Sequence, residues 1–342
     1  MRRATSPAAP SGSARTLAAD GAPDDAIGRA LARFEGEAPL LAVALSGGPD
    51  STALLHLAIG WTERHAGSVA ALTVDHGLRP ESGDEARLVA DRAAAAGAIS
   101  HILRWTGPKP DSGIQDAARN ARYALMLDWC REHGAAALLV GHHRDDQAAT
   151  VLMRLQRGSG PDGLAAMRPA TERDGVLLLR PLLETGKTTL LDWLAAQGHP
   201  FVEDPSNRLD RFERNRLDRL LAAEDPDGGL AGRLGRAAGR QARAVEALER
   251  WTADAEAALS RGGGNECTAL DLEGWLALPD EIRLRLLGRA VARASGREPG
   301  LGALETALEQ LASQARTNLA GALIERSGGL LHIRPEPPRR HS

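Results

Sequence analysis

Residues 40–51 read Leu-Leu-Ala-Val-Ala-Leu-Ser-Gly-Gly-Pro-Asp-Ser, an apolar run that ends at Leu45 in a tight Ser/Gly turn. A helical pattern then begins near Thr52. This is the pattern of a buried parallel strand feeding a helix N-terminus. Gly47 and Gly48 allow positive φ and a close approach of backbone N–H groups to an anion. Ser46 and Ser51 add hydroxyl donors, and the helix dipole adds about half a positive charge at the same place. The stretch therefore predicts a phosphate site. Asp50 would repel a bare phosphate, so a Mg²⁺ bridging its carboxylate to phosphate oxygens is expected with it.

The rest of the first two-thirds alternates in the same way. Strands are predicted at 40–45, 69–75, 99–105 and 137–141, with helices between them. One helix is predicted from Ser82, where Glu85 three residues on completes a capping-box pattern. Others are predicted over 114–133 and 145–156. Alternation of this kind implies a doubly wound parallel α/β sheet, whose ligands bind at the carboxyl ends of the strands. The Ser46 loop, Asp75–Arg79 and Gly141–Asp146 all follow strand ends and can converge on one crevice.

Near Ala222 the character changes. Residues 225–229 read as a linker, 230–260 as a long Ala/Arg-rich helix, and 261–265 as a turn cluster. Helices are predicted near 272–293 and 301–314, and a closing hairpin from 319–324 and 329–333. Three regions follow: a disordered tail over 1–25, a catalytic α/β domain over 26–222, and a smaller, mainly helical C-terminal domain over 223–342. Acidic residues at 20, 24 and 25 and the lack of an amphipathic pattern argue against a transit peptide at the start.

Composition narrows the class. Aromatic residues are 3% of the 342, so Leu, Ala and Val must build the core. The two cysteines, Cys130 and Cys267, form no Cys-x-x-Cys pair, which argues against a zinc ribbon, an iron–sulfur site or a disulfide scaffold and fits a reducing cytoplasm. No apolar run of about 18 residues occurs, so no membrane span is expected. The net charge of −3 predicts no bulk attraction to nucleic acid, so any RNA site must be a local patch. All but two of the 42 basic side chains are arginine, the exceptions being Lys109 and Lys187.

Six further motifs follow the Ser46–Ser51 loop. They are Thr73-Val-Asp-His-Gly-Leu-Arg79, Ala118-Arg-Asn-Ala-Arg-Tyr123, Gly141-His-His-Arg-Asp-Asp-Gln147, Arg157-Gly-Ser-Gly-Pro-Asp-Gly-Leu164, Arg180-Pro-Leu-Leu183, and Glu203-Asp-Pro-Ser-Asn207 with Arg214-Asn-Arg216. Two decoys fall among them. Gly158–Gly163 satisfies G-x-G-x-x-G but follows a helix instead of a strand, and Gly186-Lys187-Thr188 lacks the first glycine of a Walker loop. Ser46–Ser51 resembles the signature of the PP-loop ATP pyrophosphatases (adenine nucleotide alpha hydrolase-like proteins). The full set, in this order and spacing, resembles the tRNA(Ile)-lysidine synthases, closely over residues 38–220 and loosely beyond.

The resemblance implies a ligase that consumes ATP and Mg²⁺. ATP adenylates the C2 oxygen of cytidine 34 in an isoleucine tRNA with a CAU anticodon, and L-lysine then displaces AMP to give lysidine. Carried over residue by residue, Ser46, Gly47, Gly48, Pro49, Asp50 and Ser51 form the ATP loop, with Asp50 on Mg²⁺. Arg119 neutralises charge on the transferring adenylyl group. Asp75, His76, Arg122, His142, His143, Asp145, Asp146 and Lys187 line the crevice. Two basic groups are candidates for RNA. Arg233, Arg236, Arg240 and Arg243 share one helix face at spacings of 3, 4 and 3, and residues 229–243 hold no acid. The other group is Arg208, Arg211, Arg214 and Arg216, diluted by Asp210 and Glu213, and Arg157 opens the fifth motif. Such proteins are commonly dimers, which allows a homodimer.

The chain departs from the family pattern twice: Ala149 stands where a glutamate is usual, and Asp218 where a basic residue is expected. These departures favour one alternative, a catalytically weakened tRNA-binding paralogue. A second is a tRNA 2-thiolation enzyme, which would need reactive cysteines. A third, an amide-forming synthetase, would need a glutaminase partner.

Overall fold

A computed structural model describes residues 22–337 apart from 108, 111, 203–215, 218–220, 222–228 and 263–266. Arg208, Arg211, Arg214, Asp218, the Glu203–Asn207 motif, residues 1–21 and most of the expected linker lie outside the described residues. The chain divides into two units. One is Met1–Ala149 with Arg168–Gly235, and the other is Thr150–Met167 with Arg236–Ser342.

The first unit is built on six strands: β1 (Leu40–Ala44), β2 (Ser68–Asp75), β3 (Ile99–Arg104), β4 (Ala137–Leu139), β5 (Ala170–Arg173) and β6 (Val176–Leu179). They lie in the order β3-β2-β1-β4-β6-β5. Val43 on β1 pairs in parallel with Ala71 on β2 and with Leu139 on β4. Only the edge strand β5 runs antiparallel, so the sheet is mixed at that edge. The helices are α1 (Pro23–Leu31), α2 (Pro49–Arg64), α3 (Ser82–Ala95), α4 (Ile114–His133), the first part of α5 (Arg144–Gln156) and α7 (Lys187–Gln197); the rest of α5, from Thr150, and the short α6 (Pro161–Leu164) belong to the second unit. Side chains alternate across β1 because successive Cβ atoms point to opposite faces. Leu41 and Val43 join Ile27, Leu31, Leu54, Val89 and Leu190 on one face. Ala42 joins Tyr123, Met126, Leu127 and Leu138 on the other. Each such fully buried Leu or Val stabilises the sheet–helix sandwich by about 1.5–3 kcal/mol. The strand order reverses between β1 and β4, which places the switch point beside the Ser46 loop.

Two local expectations are corrected here, and one hairpin was not anticipated. Ser82 does not cap α3, which has no side-chain cap. Its hydroxyl donates instead to Asp75 Oδ1 at 2.8 Å, and Glu85 pairs with Arg79. The β5–β6 hairpin turns at Asp174-Gly175, both at positive φ, an Asp-Gly signal that was present in the sequence. Residues 23–25, expected in the tail, already belong to α1, where Asp24 accepts from the Trp193 indole at 3.0 Å.

The second unit contains most of the 31-residue α8 (Gly229–Leu259). It continues with β7 (Thr268–Asp271), α9 (Leu272–Leu276), α10 (Asp280–Ser295), α11 (Leu301–Ser313), β8 (Arg316–Leu319), β9 (Ala322–Ser327) and β10 (Leu330–Pro335). The strands form an antiparallel sheet in the order β7-β10-β9-β8. Trp275, Ile282, Leu286, Leu287, Leu311, Ile324 and Ile333 form its core. The expected hairpin is therefore part of a larger sheet, and the predicted strand 319–324 is broken at Ala320-Gly321, both at positive φ. Alanine is a poor turn signal, which hides this corner in the sequence. The predicted helix over 272–293 is likewise two helices, interrupted before Pro279 at the start of α10.

Candidate functional site

The phosphate loop is built by its own short hydrogen bonds. The Ser46 N–H donates to Ser51 Oγ at 3.2 Å, and the two hydroxyls lie 3.1 Å apart. Ser51 Oγ also donates to the Gly48 carbonyl at 3.1 Å. Gly47 sits at φ 83°, and a Cβ there would lie 2.5 Å from Val89. Glycine is thus required twice over, by conformation and by packing. No side chain caps α2, so its first-turn N–H groups remain available to an anion.

The end of β4 is pressed against this turn. A Cβ on Gly141 would come within 3.0 Å of the Asp50 carbonyl oxygen. That close approach carries His143 to Asp50. The buried imidazole lies with Nε2 at 3.7 Å from Asp50 Oδ2 and 3.6 Å from Asp146 Oδ2, and with Nδ1 at 3.4 Å from Asp145 Oδ2. His143 also caps α5 in a reciprocal box. Its Nδ1 accepts from the Asp145 N–H at 3.2 Å, while Asp146 Oδ2 accepts from the His143 N–H at 3.0 Å. This His-x-x-Asp box is the signal that sequence reading missed, because the usual capping residue is Ser, Thr, Asp or Asn.

The electrostatics follow from the burial of these groups. Burial pushes the His143 pKa down, but the carboxylates of Asp145, Asp146 and Asp50 outweigh it and the net shift is upward. Burial raises the Asp50 pKa, and His143 and Lys187 only partly offset it. Burial would raise Asp145 too, yet His143 and the Lys187 N–H, which donates to Asp145 Oδ2 at 2.9 Å, bring it down to about 2. Lys187, exposed at the start of α7, therefore belongs to this group. Asp50 Oδ1 is buried and accepts no hydrogen bond from the described residues. A bare carboxylate oxygen of this kind fits a divalent cation shared with substrate phosphates. Among the described residues, no group of three or more His, Cys, Asp or Glu side chains could hold a metal without such help.

A second cluster sits at the ends of β2 and β3. Asp75 Oδ1 accepts from Ser82 Oγ and from the Gly77 N–H, which lowers its pKa and fixes the loop that carries His76. Arg122 reaches His76 Nε2 at 3.3 Å, and His76 meets Trp105 edge-on with ring centroids 6.2 Å apart. Lys109 donates to the Gly77 carbonyl at 2.7 Å and lies 5.7 Å from the centre of the Trp105 ring. Trp105 was not among the candidate residues. A lone aromatic at a strand end carries no motif, and only the fold brings it to His76.

Arg119 is exposed on α4 and lies over Tyr123, 5.6 Å from the ring centre, with Arg173 at 4.6 Å from the same ring. No described hydrogen bond or ion pair joins it to the Asp50 group. His142 is half-buried beside His143. Arg157, Arg216, Arg233, Arg236, Arg240 and Arg243 are all exposed. Ala149 is fully buried. The apolar back of the phosphate loop borders a cavity of about 440 Å³ whose lining includes Leu45, Val89, His56 and His199.

The fold and the loop together define a PP-loop protein. The PP-loop domain family matches residues 25–224, more than half of the chain. A tRNA(Ile)-lysidine synthase of Rhodopseudomonas palustris is 45% identical over 320 residues, covering 89% of this chain and 92% of that protein. One from Methylobacterium nodulans is 44% identical over 318 residues, covering 89% and 93%. The chain belongs to the tRNA(Ile)-lysidine synthase family. Among solved structures, a U34-tRNA thiolase of Methanococcus maripaludis, NcsA with its [4Fe-4S] cluster, aligns with a TM-score of 0.55 at 18% identity, over 65% of this chain and 78% of that one. That likeness speaks for the shared fold alone.

Proposed function

We infer that this chain is an ATP-dependent ligase that joins L-lysine to C2 of cytidine 34 in the CAU anticodon of an isoleucine tRNA. The observation that carries the reading is the His143–Asp50 pair seated on the first turn of α2, at the switch point of the sheet. The C2 carbonyl is urea-like and its oxygen cannot leave as oxide. That oxygen attacks the α-phosphorus of ATP and pyrophosphate departs. The lysine ε-amine then attacks C2, and AMP leaves with the oxygen. The amine must be neutral, which costs about 4–5 kcal/mol at pH 7 from a reference pKa near 10.4.

In this reading the Ser46–Ser51 loop and the α2 N-terminus hold the triphosphate, with Lys187 at its edge. Asp50 holds Mg²⁺, which supplies neutralising charge for the phosphate oxygens. His143 keeps Asp145 and Asp146 in place and offsets their charge. Arg119 and Arg122 neutralise the adenylyl group, and Asp75 and His76 shape the nucleoside end of the crevice. Arg157, Arg208, Arg214 and Arg216, with Arg233, Arg236, Arg240 and Arg243, contact tRNA phosphates. Residues 26–222 act as the catalytic domain and 223–342 as the tRNA-binding domain. The chain works in the cytoplasm, where its substrates lie. Size-exclusion chromatography with light scattering tests a homodimer.

The thiolation alternative has little support in the cysteines. Burial pushes the Cys130 thiol up to about 12, far from a reactive thiolate. Incorporation of radiolabelled lysine into an in vitro transcript of the CAU-anticodon isoleucine tRNA, with ATP and Mg²⁺, tests the function. Labelling that requires both ATP and Asp50 is the expected result. A folded, ATP-binding chain that labels nothing would return the reading to a weakened paralogue.

A further inference from the structure

Of the six tryptophans, Trp251 alone is exposed, at 48%. It lies on α8, and a line of exposed residues leads to it: Arg236, Arg240, Arg243 and Ala247. At 100° per residue these five positions fall within an arc of about 80°. The opposite face of α8 carries Glu249 and Glu256, and both are occupied. Arg289 pairs with Glu249 and with Glu256, Arg285 with Glu249, and Arg293 with Glu256. Two of the four acids of the helix are thus turned to α10 within the unit; the arginine line is exposed, and of the two exposed acids Glu246 pairs with Arg250 while Asp254 lies one turn beyond Trp251. Beside Trp251 is a concavity of about 460 Å³ lined by Arg243, Glu246, Ala247, Arg250, Trp251 and Asp254. Its volume lies within the range of small-ligand pockets. Arg250 and Glu246 there neutralise each other at 2.5 Å.

We propose that Trp251 is a stacking platform for an unpaired base of the RNA substrate, with Arg236, Arg240 and Arg243 tracking the phosphates that lead to it. This rests on the reading that the substrate is a tRNA. A positive line ending in an exposed aromatic is the arrangement by which single-stranded nucleic acid is held without sequence readout. The occupant follows from charge. The chain as a whole is acidic, and residues 229–243 hold four arginines and no acid, so this stretch attracts a polyanion where the remainder does not. The tryptophan supplies the π-face that a phosphate-only site lacks.

The test is filter binding of the unmodified isoleucine tRNA transcript to the full chain, with lysine-incorporation kinetics in parallel. Trp251→Ala and Trp251→Leu should weaken tRNA binding by about tenfold or more, and Trp251→Phe should retain most of it. The KM for tRNA should rise with kcat and the KM for lysine unchanged. The triple variant Arg236→Ala/Arg240→Ala/Arg243→Ala should reduce the salt dependence of binding by about 2–3 in log–log slope. Because Trp251 is exposed, thermal melting of its variants should match wild type. Unchanged tRNA affinity in Trp251→Ala would overturn the platform and leave the face to a protein contact. A Trp251→Phe variant as weak as Trp251→Ala would overturn it as well. A wild-type chain that binds the transcript without transferring lysine would sink the proposed function, while the binding data would still decide the platform.

Discussion

The imidazole of His143 faces the carboxylate of Asp50 at 3.7 Å, while the same ring caps α5 through its Nδ1. One buried side chain therefore joins the first turns of two helices, α2 and α5, that begin at adjacent strands. Its neutral form accepts the Asp145 N–H at Nδ1, and its protonated form, favoured by the carboxylates of Asp145, Asp146 and Asp50, offsets their charge. The phosphate loop and the Asp145–Asp146 pair are consequently a single electrostatic unit.

Two substitutions separate these roles of His143. Removing the ring in His143→Ala should abolish ATP-dependent labelling and lower stability by about 2–4 kcal/mol, because carboxylates are left buried without their counter-charge. His143→Asn restores a helix cap worth about 1 kcal/mol but no charge. Urea denaturation should place it between Ala and wild type, with labelling still lost. Equal stability of the two variants would contradict the capping role.

Arg119 is exposed and rests on Tyr123, so its truncation should leave the fold intact. Arg119→Ala is expected to lower kcat by about 10²–10³, the usual loss when a group stabilising transition-state charge is removed, with an unchanged melting curve. A lysine-incorporation rate within a factor of about three of wild type would show that this arginine only packs on the ring.

Ala149 is fully buried one turn from Asp145 and Asp146. A glutamate there would add a third carboxyl to a dry, already acidic place. Ala149→Glu should destabilise by about 2 kcal/mol or more at pH 7, less at pH 4 where the new carboxyl protonates, and should not raise the labelling rate. Thermal melting at the two pH values checks the first part. Faster labelling with unchanged melting would mean that the site accepts the carboxylate.

The cysteines should differ in reactivity. Cys130 is buried with its thiol pushed up to about 12, and Cys267 is exposed. Alkylation of the native protein at pH 8 followed by mass spectrometry should give one adduct, on Cys267. The double variant Cys130→Ala/Cys267→Ser should keep lysine incorporation. Loss of activity with Cys267→Ser alone would reopen thiol chemistry.

His56 stacks on His199 with ring centroids 3.5 Å apart, and burial, with His199 beside it, lowers its pKa to about 4. The unfolded chain binds this proton near pH 6.5, so stability from His56 is complete above that value. It is lost as pH falls from about 6.5 toward 4. His56→Phe keeps the stacking and removes the titration. Its melting temperature should fall less than that of wild type across this window, and parallel pH profiles would refute the assignment.

The sequence by itself determined the elements that repeat a strong local pattern. The strands at 40–44 and 137–139 and the helix over 114–133 lie within two residues of their expected positions, because apolar period and glycine stops are local properties. It also determined the turn over Ser46–Ser51, since the hydroxyls of Ser46 and Ser51 make their bonds within five residues, although the Gly47 carbonyl also accepts from the distant Val202 N–H at 2.8 Å. Tertiary structure decided what depends on distant partners. Ser82 gave up its predicted cap for Asp75, a group seven residues away with a stronger charge. The strand break at Ala320 is decided by pairing across β8 and β9, which overrides the conformational preference of alanine. The approach of His143 to Asp50 needs Gly141 pressed against α2, and Trp105 reaches His76 only because β2 and β3 pair. Local pattern encodes which element forms, and long-range packing alone fixes which side chains meet.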